Sequence, residues 1–235
     1  MSHIDLLKEC IIDDDMVCGL CFSPDLHNPE NEKKDFVRLY RTLALIPDQT
    51  HSCNVVVATR GVKHYDDTDA LITFERDMAV GVKTADCVPI LLFAPDKGAV
   101  GAVHAGWKGT LGGIVDNVMD ILEDNGVDVS LLKVYFGPSI SKEVYEVSPE
   151  LAEKFIHAGF GKYVSYPHGL EEKPHIDLQG VNMERFIRRG VSGGNISLHP
   201  GCSFSSKMED GTARYASHRR SGGAPARILT CIKLL

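Results

Sequence analysis

Two short apolar runs, joined by a turn and bracketed by a cysteine and a histidine, constrain this chain more than any other feature. Val88 to Phe93 and Ala99 to Val103 have the length and composition of buried strands, and Pro95-Asp96-Lys97-Gly98 between them is a turn sequence. A hairpin over these runs brings the start of the first strand beside the end of the second. Cys87 and His104 then meet, and the small residues around His104 permit close approach. A thiolate and an imidazole converging at sheet ends form either a zinc site or a Cys–His nucleophile pair. Taken singly, a free cysteine usually just packs. The density of Asp86, Cys87, His104, Trp107 and Lys108 beside two apolar strands points instead to a site.

Periodicity sets the rest of the frame. Leu111, Ile114, Val115, Val118 and Leu122 fall on one helical face over 111–124, with Gly126 just past the end. Ser148-Pro149 opens a second helix as cap and first-turn proline, and Gly159 closes it. Further helices are predicted over 177–189 and over 32–45, the latter carrying Arg38 and Arg41. Strands are predicted near 15–22, 54–59, 70–73, 78–83, 88–93, 99–103, 132–137, 195–198 and 226–233. Helices and strands mix without strict alternation. This argues for an α+β fold, mixed sheets layered with helices in a single domain over 1–235, rather than a doubly wound sheet. No GxGxxG or P-loop sequence is present. The segments 162–175 and 204–224 read as long loops, and the second, with Arg214, Arg219 and Arg220, is placed to close over a site.

The net charge of −7 disfavours nucleic acid as the main ligand while leaving room for a small anion held by local arginines. No apolar leader follows Met1-Ser2-His3-Ile4-Asp5, and no run is long enough to span a membrane. Seven cysteines at irregular spacings fit reduced thiols in a cytoplasmic protein. Cys18-Gly-Leu-Cys21 has CxxC spacing but sits in an apolar strand without a second pair, which makes it structural. Nothing in the sequence specifies an oligomeric state.

Thr84-Ala85-Asp86-Cys87-Val88-Pro89-Ile90-Leu91-Leu92 followed by Ala102-Val103-His104-Ala105-Gly106-Trp107-Lys108-Gly109-Thr110 resembles the signature of the laccase-domain proteins. That family was first named as polyphenol oxidases and is now described as zinc-containing purine nucleoside phosphorylases. Asp69-Ala70-Leu71-Ile72-Thr73, Gly137-Pro138-Ser139-Ile140, Asp177-Leu178 with Asn182, and Cys202 with Ser217-His218-Arg219-Arg220 and Arg227 extend the resemblance in order along the chain. The match departs from the family at its rim. Gly19 to Asp25 lacks the usual Arg and Gly pair, Tyr40-Arg41 replaces an Asn-Arg pair, and Cys202-Ser203 replaces Cys-Thr.

The resemblance implies zinc held by His51, Cys87 and His104, His51 matching the family's Q-x-H element in Gln49-Thr50-His51. His64, in an exposed polar loop, is the weaker competitor for the third place. Three ligands leave an open position for water or substrate. The implied substrates are a purine nucleoside and phosphate, with adenosine deamination as an accompanying activity. Arg41, Arg219 and Arg220 are the phosphate candidates, because a guanidinium matches phosphate oxygens bidentately. Deamination needs an acid/base, for which Asp86 stands beside the metal-binding Cys87. It serves equally as a residue that orients a ligand. Three other readings remain open: a metal-free cysteine hydrolase or amidase using Cys87 and His104, a non-catalytic zinc-binding interaction protein, and a copper-dependent polyphenol oxidase. The last would need several His-rich sites, which the ten histidines do not form.

Overall fold

The computed structural model describes residues 6–13, 15–24, 43–167, 169, 171–223 and 226–235. In chain order the elements are β1 (Leu6–Asp13), β2 (Val17–Pro24), β3 (Val55–Val57), β4 (Ala70–Thr73), β5 (Ala79–Thr84), β6 (Val88–Ala94), β7 (Ala99–Ala105), α1 (Trp107–Gly112), α2 (Ile114–Asp124), β8 (Lys133–Phe136), α3 (Pro149–Phe155), β9 (Val164–Ser165), β10 (His175–Ile176), α4 (Leu178–Arg188), β11 (Ile196–Leu198), α5 (His218–Ser221) and β12 (Ile228–Leu234). The helix expected over 32–45, with Arg38 and Arg41, lies outside the described residues apart from its end.

The strands form two main sheets. One has the order β1-β2-β12-β5 and is antiparallel throughout. The other has the order β11-β8-β6-β7-β4-β3, antiparallel at its centre and parallel at its two outer pairs. The fold is α+β, as the mixed pattern predicts.

β6 explains how the layers stack. All seven of its residues are buried, and successive side chains point to opposite faces. Val88, Ile90 and Leu92 join Ile114, Val118, Val181 and Phe186 in a core between the six-stranded sheet and the helices. Leu91 and Phe93 join Val80, Val82, Ile232 and Leu234 in a core between the two sheets. A strand covered on both faces must be apolar at every position, hence its continuous run rather than alternation. Each fully buried side chain of this size contributes about 1.5–3 kcal/mol.

Two differences from the sequence expectation have clear causes. The helix expected over 111–124 begins earlier and divides at Gly113, whose φ of 87° is left-handed. Glycine takes that conformation without a Cβ clash, so it ends α1 and starts α2. β1 is not predicted, because its apolar residues come in pairs, as in Ile11-Ile12, and do not alternate. It is an edge strand with a register shift between Cys10 and Ile12, and its pairing with β2 decides its conformation. The expected 204–224 loop likewise contains α5, capped by the Ser217 hydroxyl accepting from Arg220 N–H. No helix among the described residues is long and apolar enough to cross a membrane.

Candidate metal centre

The site forms where the chain crosses from one sheet to the other. β5 belongs to the four-stranded sheet and β6 to the six-stranded one, and Ala85-Asp86-Cys87 makes the crossing. Asp86 takes a left-handed φ of 87° there. The β6–β7 hairpin pairs Val88 with Ala105 and Pro89 with His104, so Cys87 and His104 sit at one end of the same ladder. His51 comes from the segment before β3, at a φ of 64°.

Cys87 Sγ lies 3.8 Å from His51 Nε2, and the ligand atoms of His51, Cys87 and His104 all lie within 4.8 Å of one another. A tetrahedral zinc with bonds of about 2.0–2.3 Å separates its ligand atoms by about 3.5 Å. The donor set and spacing therefore fit a metal after a small contraction. His104 is buried, Cys87 half-buried and His51 exposed, so the cluster opens on one side. His64 is exposed and outside the cluster. Cys21 is buried within β2, in keeping with a structural role for its CxxC pair.

Asp69, which the sequence offered only as part of a resembling segment, is fully buried at the head of β4. Its Oδ1 accepts from His104 Nδ1 at 2.6 Å and from His51 N–H at 3.1 Å. Its Oδ2 accepts from Thr50 N–H at 3.1 Å, Ser52 N–H at 2.7 Å and the Ser52 hydroxyl at 2.8 Å. An Asp directly before the apolar run Ala70-Leu71-Ile72 was the signal available in the sequence. Gln49 was likewise passed over as more than part of a motif. Its amide donates to Lys83 O and accepts from Lys83 N–H, both at 2.8 Å, tying the His51 segment to β5.

Electrostatics follow from this packing. Burial pushes the Cys87 thiol up, but His104 and then His51 outweigh it and bring it below the ordinary thiol range. Burial pushes His104 down, but Cys87 and Asp69 outweigh it and raise it. Burial also works against the Asp69 carboxylate, yet its bonds from His104 and Ser52 hold it below the usual carboxylate range. The thiol is thus drawn down by the histidines and His104 drawn up by Cys87 and Asp69, and metal binding takes the deprotonated thiolate and a free imidazole nitrogen.

The cluster opens into a cavity of about 670 Å³, which Lys83, Trp107, Tyr145, His218, Arg219 and Arg227 also line. Arg219 donates to Glu146 O at 2.8 Å and lies 5.6 Å from the Tyr145 ring centre. Arg220 is not brought into the cavity. Its guanidinium donates instead to the carbonyls of Ser203, Phe204 and Tyr215, none of which lines the cavity. Asp86 lines the cavity, but both its oxygens are engaged: Oδ1 accepts from the Ser203 hydroxyl and Oδ2 from Arg219 N–H, each at 2.7 Å. Arg41 lies outside the described residues.

A family model described as multi-copper polyphenol oxidoreductase laccase matches residues 29–235. A purine nucleoside phosphorylase of Deinococcus radiodurans is 33% identical over 200 residues, covering 85% of this chain and 70% of that protein. An adenosine deaminase from an unidentified prokaryote is 35% identical over 169 residues, covering 68% of this chain and 64% of its own. The YfiH protein of Bacillus licheniformis has the same fold, with a TM-score of 0.82 at 22% identity over 93% of each chain. A Neisseria meningitidis protein is similar at a TM-score of 0.79 and 24% identity, covering 97% of this chain and 98% of its own. The family match spans the Cys87–His104 hairpin, the His51 segment and α5 together, and the chain belongs to the multi-copper polyphenol oxidoreductase laccase family.

Proposed function

We propose that this protein is a zinc-dependent purine nucleoside phosphorylase, taking adenosine or inosine with phosphate to the free base and ribose 1-phosphate, with adenosine deamination as an accompanying activity. The observation that carries this reading is a His51–Cys87–His104 cluster open to a cavity of about 670 Å³ that presents both aromatic rings and arginines. Relatives named as purine nucleoside phosphorylase and adenosine deaminase support the substrate class. One thiolate and two imidazoles suit zinc, whereas a multi-copper oxidase needs several His-rich sites, and this is the one such cluster among the described residues. Zinc held by His51, Cys87 and His104 would supply a Lewis acid.

The chain's own residues divide the rest of the work. Arg219 holds the phosphate, its guanidinium oriented by the Glu146 carbonyl and the Tyr145 ring. Trp107 and Tyr145 give the cavity aromatic surface for a purine. An oxygen of hydrogen phosphate forms the bond to the anomeric carbon as the bond to the purine nitrogen breaks, and the proton that the phosphate gives up balances the one the leaving base takes. The occupied oxygens of Asp86 support an orienting role: it ties the Cys87 turn to Ser203 and to the start of α5. The carbonyl bonds of Arg220 support a structural role for it in place of phosphate binding.

Metal analysis and a product assay test the reading together. Purified protein should hold about one zinc per chain, lost in Cys87→Ala, and should release base only with phosphate or arsenate. Base release by metal-free protein without phosphate would favour a cysteine hydrolase.

A further inference from the structure

We infer that Asp69 is the positioning residue that presets both histidines of the metal centre, acting on His104 through its ring and on His51 through its backbone. This rests on the metal-site reading above and adds a role for a residue that touches neither metal nor substrate.

The geometry is unusual in how much one carboxylate does. The His104 ring nitrogen Nδ1 is 2.6 Å from Asp69 Oδ1. With Nδ1–H donated there, the Nε2 lone pair is the one left for a metal, so the bond selects the tautomer as well as the ring orientation. The same carboxylate accepts from three successive backbone N–H groups, those of Thr50, His51 and Ser52. Three successive amides aimed at one anion require a curled backbone, and His51 is in the left-handed region with φ 64°. That conformation is unfavourable for a non-glycine residue and persists only where its surroundings hold it. Asp69 is itself held. It is fully buried, its carbonyl accepts from His104 N–H at 2.8 Å, and it leads directly into β4, which pairs with β7. The two histidines come from distant segments of the chain, and the Asp69 carboxylate bonds to both.

Asp69→Asn keeps the shape and removes the symmetric acceptor. If its oxygen faces His104, its NH2 confronts the N–H groups of Thr50 and Ser52. If it flips, the NH2 faces His104 Nδ1 and drives the proton to Nε2, the metal-binding nitrogen. Both arrangements disturb the centre. The experiment measures zinc affinity of wild type and Asp69→Asn by chelator competition, cobalt spectra of both, and histidine nitrogen NMR of zinc-loaded wild type. The expected result is affinity about 10- to 100-fold weaker in the variant, a cobalt spectrum departing from tetrahedral intensity, and a wild-type His104 with Nδ1–H and metal on Nε2. Wild-type affinity with an unchanged cobalt spectrum in Asp69→Asn overturns the inference and leaves the metal reading standing. Metal on His104 Nδ1 in the wild type overturns it even if the variant does not fold. A wild type that binds no zinc overturns both.

Discussion

Gly106→Ala should cripple the metal centre while leaving the fold intact. A Cβ at this position would stand 2.9 Å from His51 Cδ2 and 3.0 Å from Cys87 Sγ, against about 3.5–4.0 Å for a comfortable carbon contact. The methyl group therefore wedges between two ligands whose donor atoms are 3.8 Å apart. His51 is held in its left-handed conformation by Asp69, and Cys87 is fixed by the adjacent β6 ladder. Overpacking of this kind costs about 1–3 kcal/mol. Because a metal needs the ligands drawn together, most of that cost falls on the metal-bound state. It corresponds to zinc affinity about 5- to 150-fold weaker. The backbone itself raises no objection, since Gly106 has φ −74° and ψ 173°, which alanine adopts readily. The poorer helix cap costs about 0.5–1 kcal/mol, and the stiffer unfolded chain offsets about 0.4–1 kcal/mol. Chelator competition measures the affinity, and thermal melting in excess chelator measures the metal-free fold. Wild-type affinity in Gly106→Ala would refute the reasoning, and so would a metal-free protein that no longer folds.

Two further outcomes are expected. Arg219→Lys keeps the charge but loses the fork. It should weaken phosphate binding by about 1.5–3 kcal/mol, roughly 10- to 150-fold, with zinc content unchanged, and an unaltered phosphate dependence would move the anion site elsewhere. Stability should also fall in alkali. Burial pushes the Cys231 thiol up to about 12 and the Cys21 thiol up as well, so above about pH 9 the unfolded chain loses protons that the folded one keeps. The unfolded state then binds fewer protons, the slope of unfolding free energy against pH is negative, and each thiol adds about 1.4 kcal/mol per pH unit. Denaturant titrations between pH 8 and 11 on wild type and Cys231→Ala should show a shallower decline in the variant, and parallel curves would refute the assignment.

What was legible in the sequence was local. The strands of the β6–β7 hairpin follow from two uninterrupted apolar runs and a Pro-Asp-Lys-Gly turn, and antiparallel pairing alone brings Cys87 to His104. Ser148 and Asp177 announced the starts of α3 and α4 through their own side chains, each accepting from an amide three residues on. His51 was reachable only through the resemblance, since no spacing rule links it to a hairpin more than thirty residues away.

Tertiary structure decided the rest. Asp69 and Gln49 look like ordinary polar residues until the sheets place one beneath both histidines and the other against Lys83. Neighbouring arginines part company in the same way. In Arg219-Arg220 the first guanidinium lines the cavity and the second is spent on carbonyls that do not line it, because adjacent residues on a helix point about 100° apart. A sequence states which groups are present and their local period. Which of them share an oxygen, a cavity or a metal depends on contacts between segments far apart in the chain, and only packing the two sheets and their helices together creates those contacts.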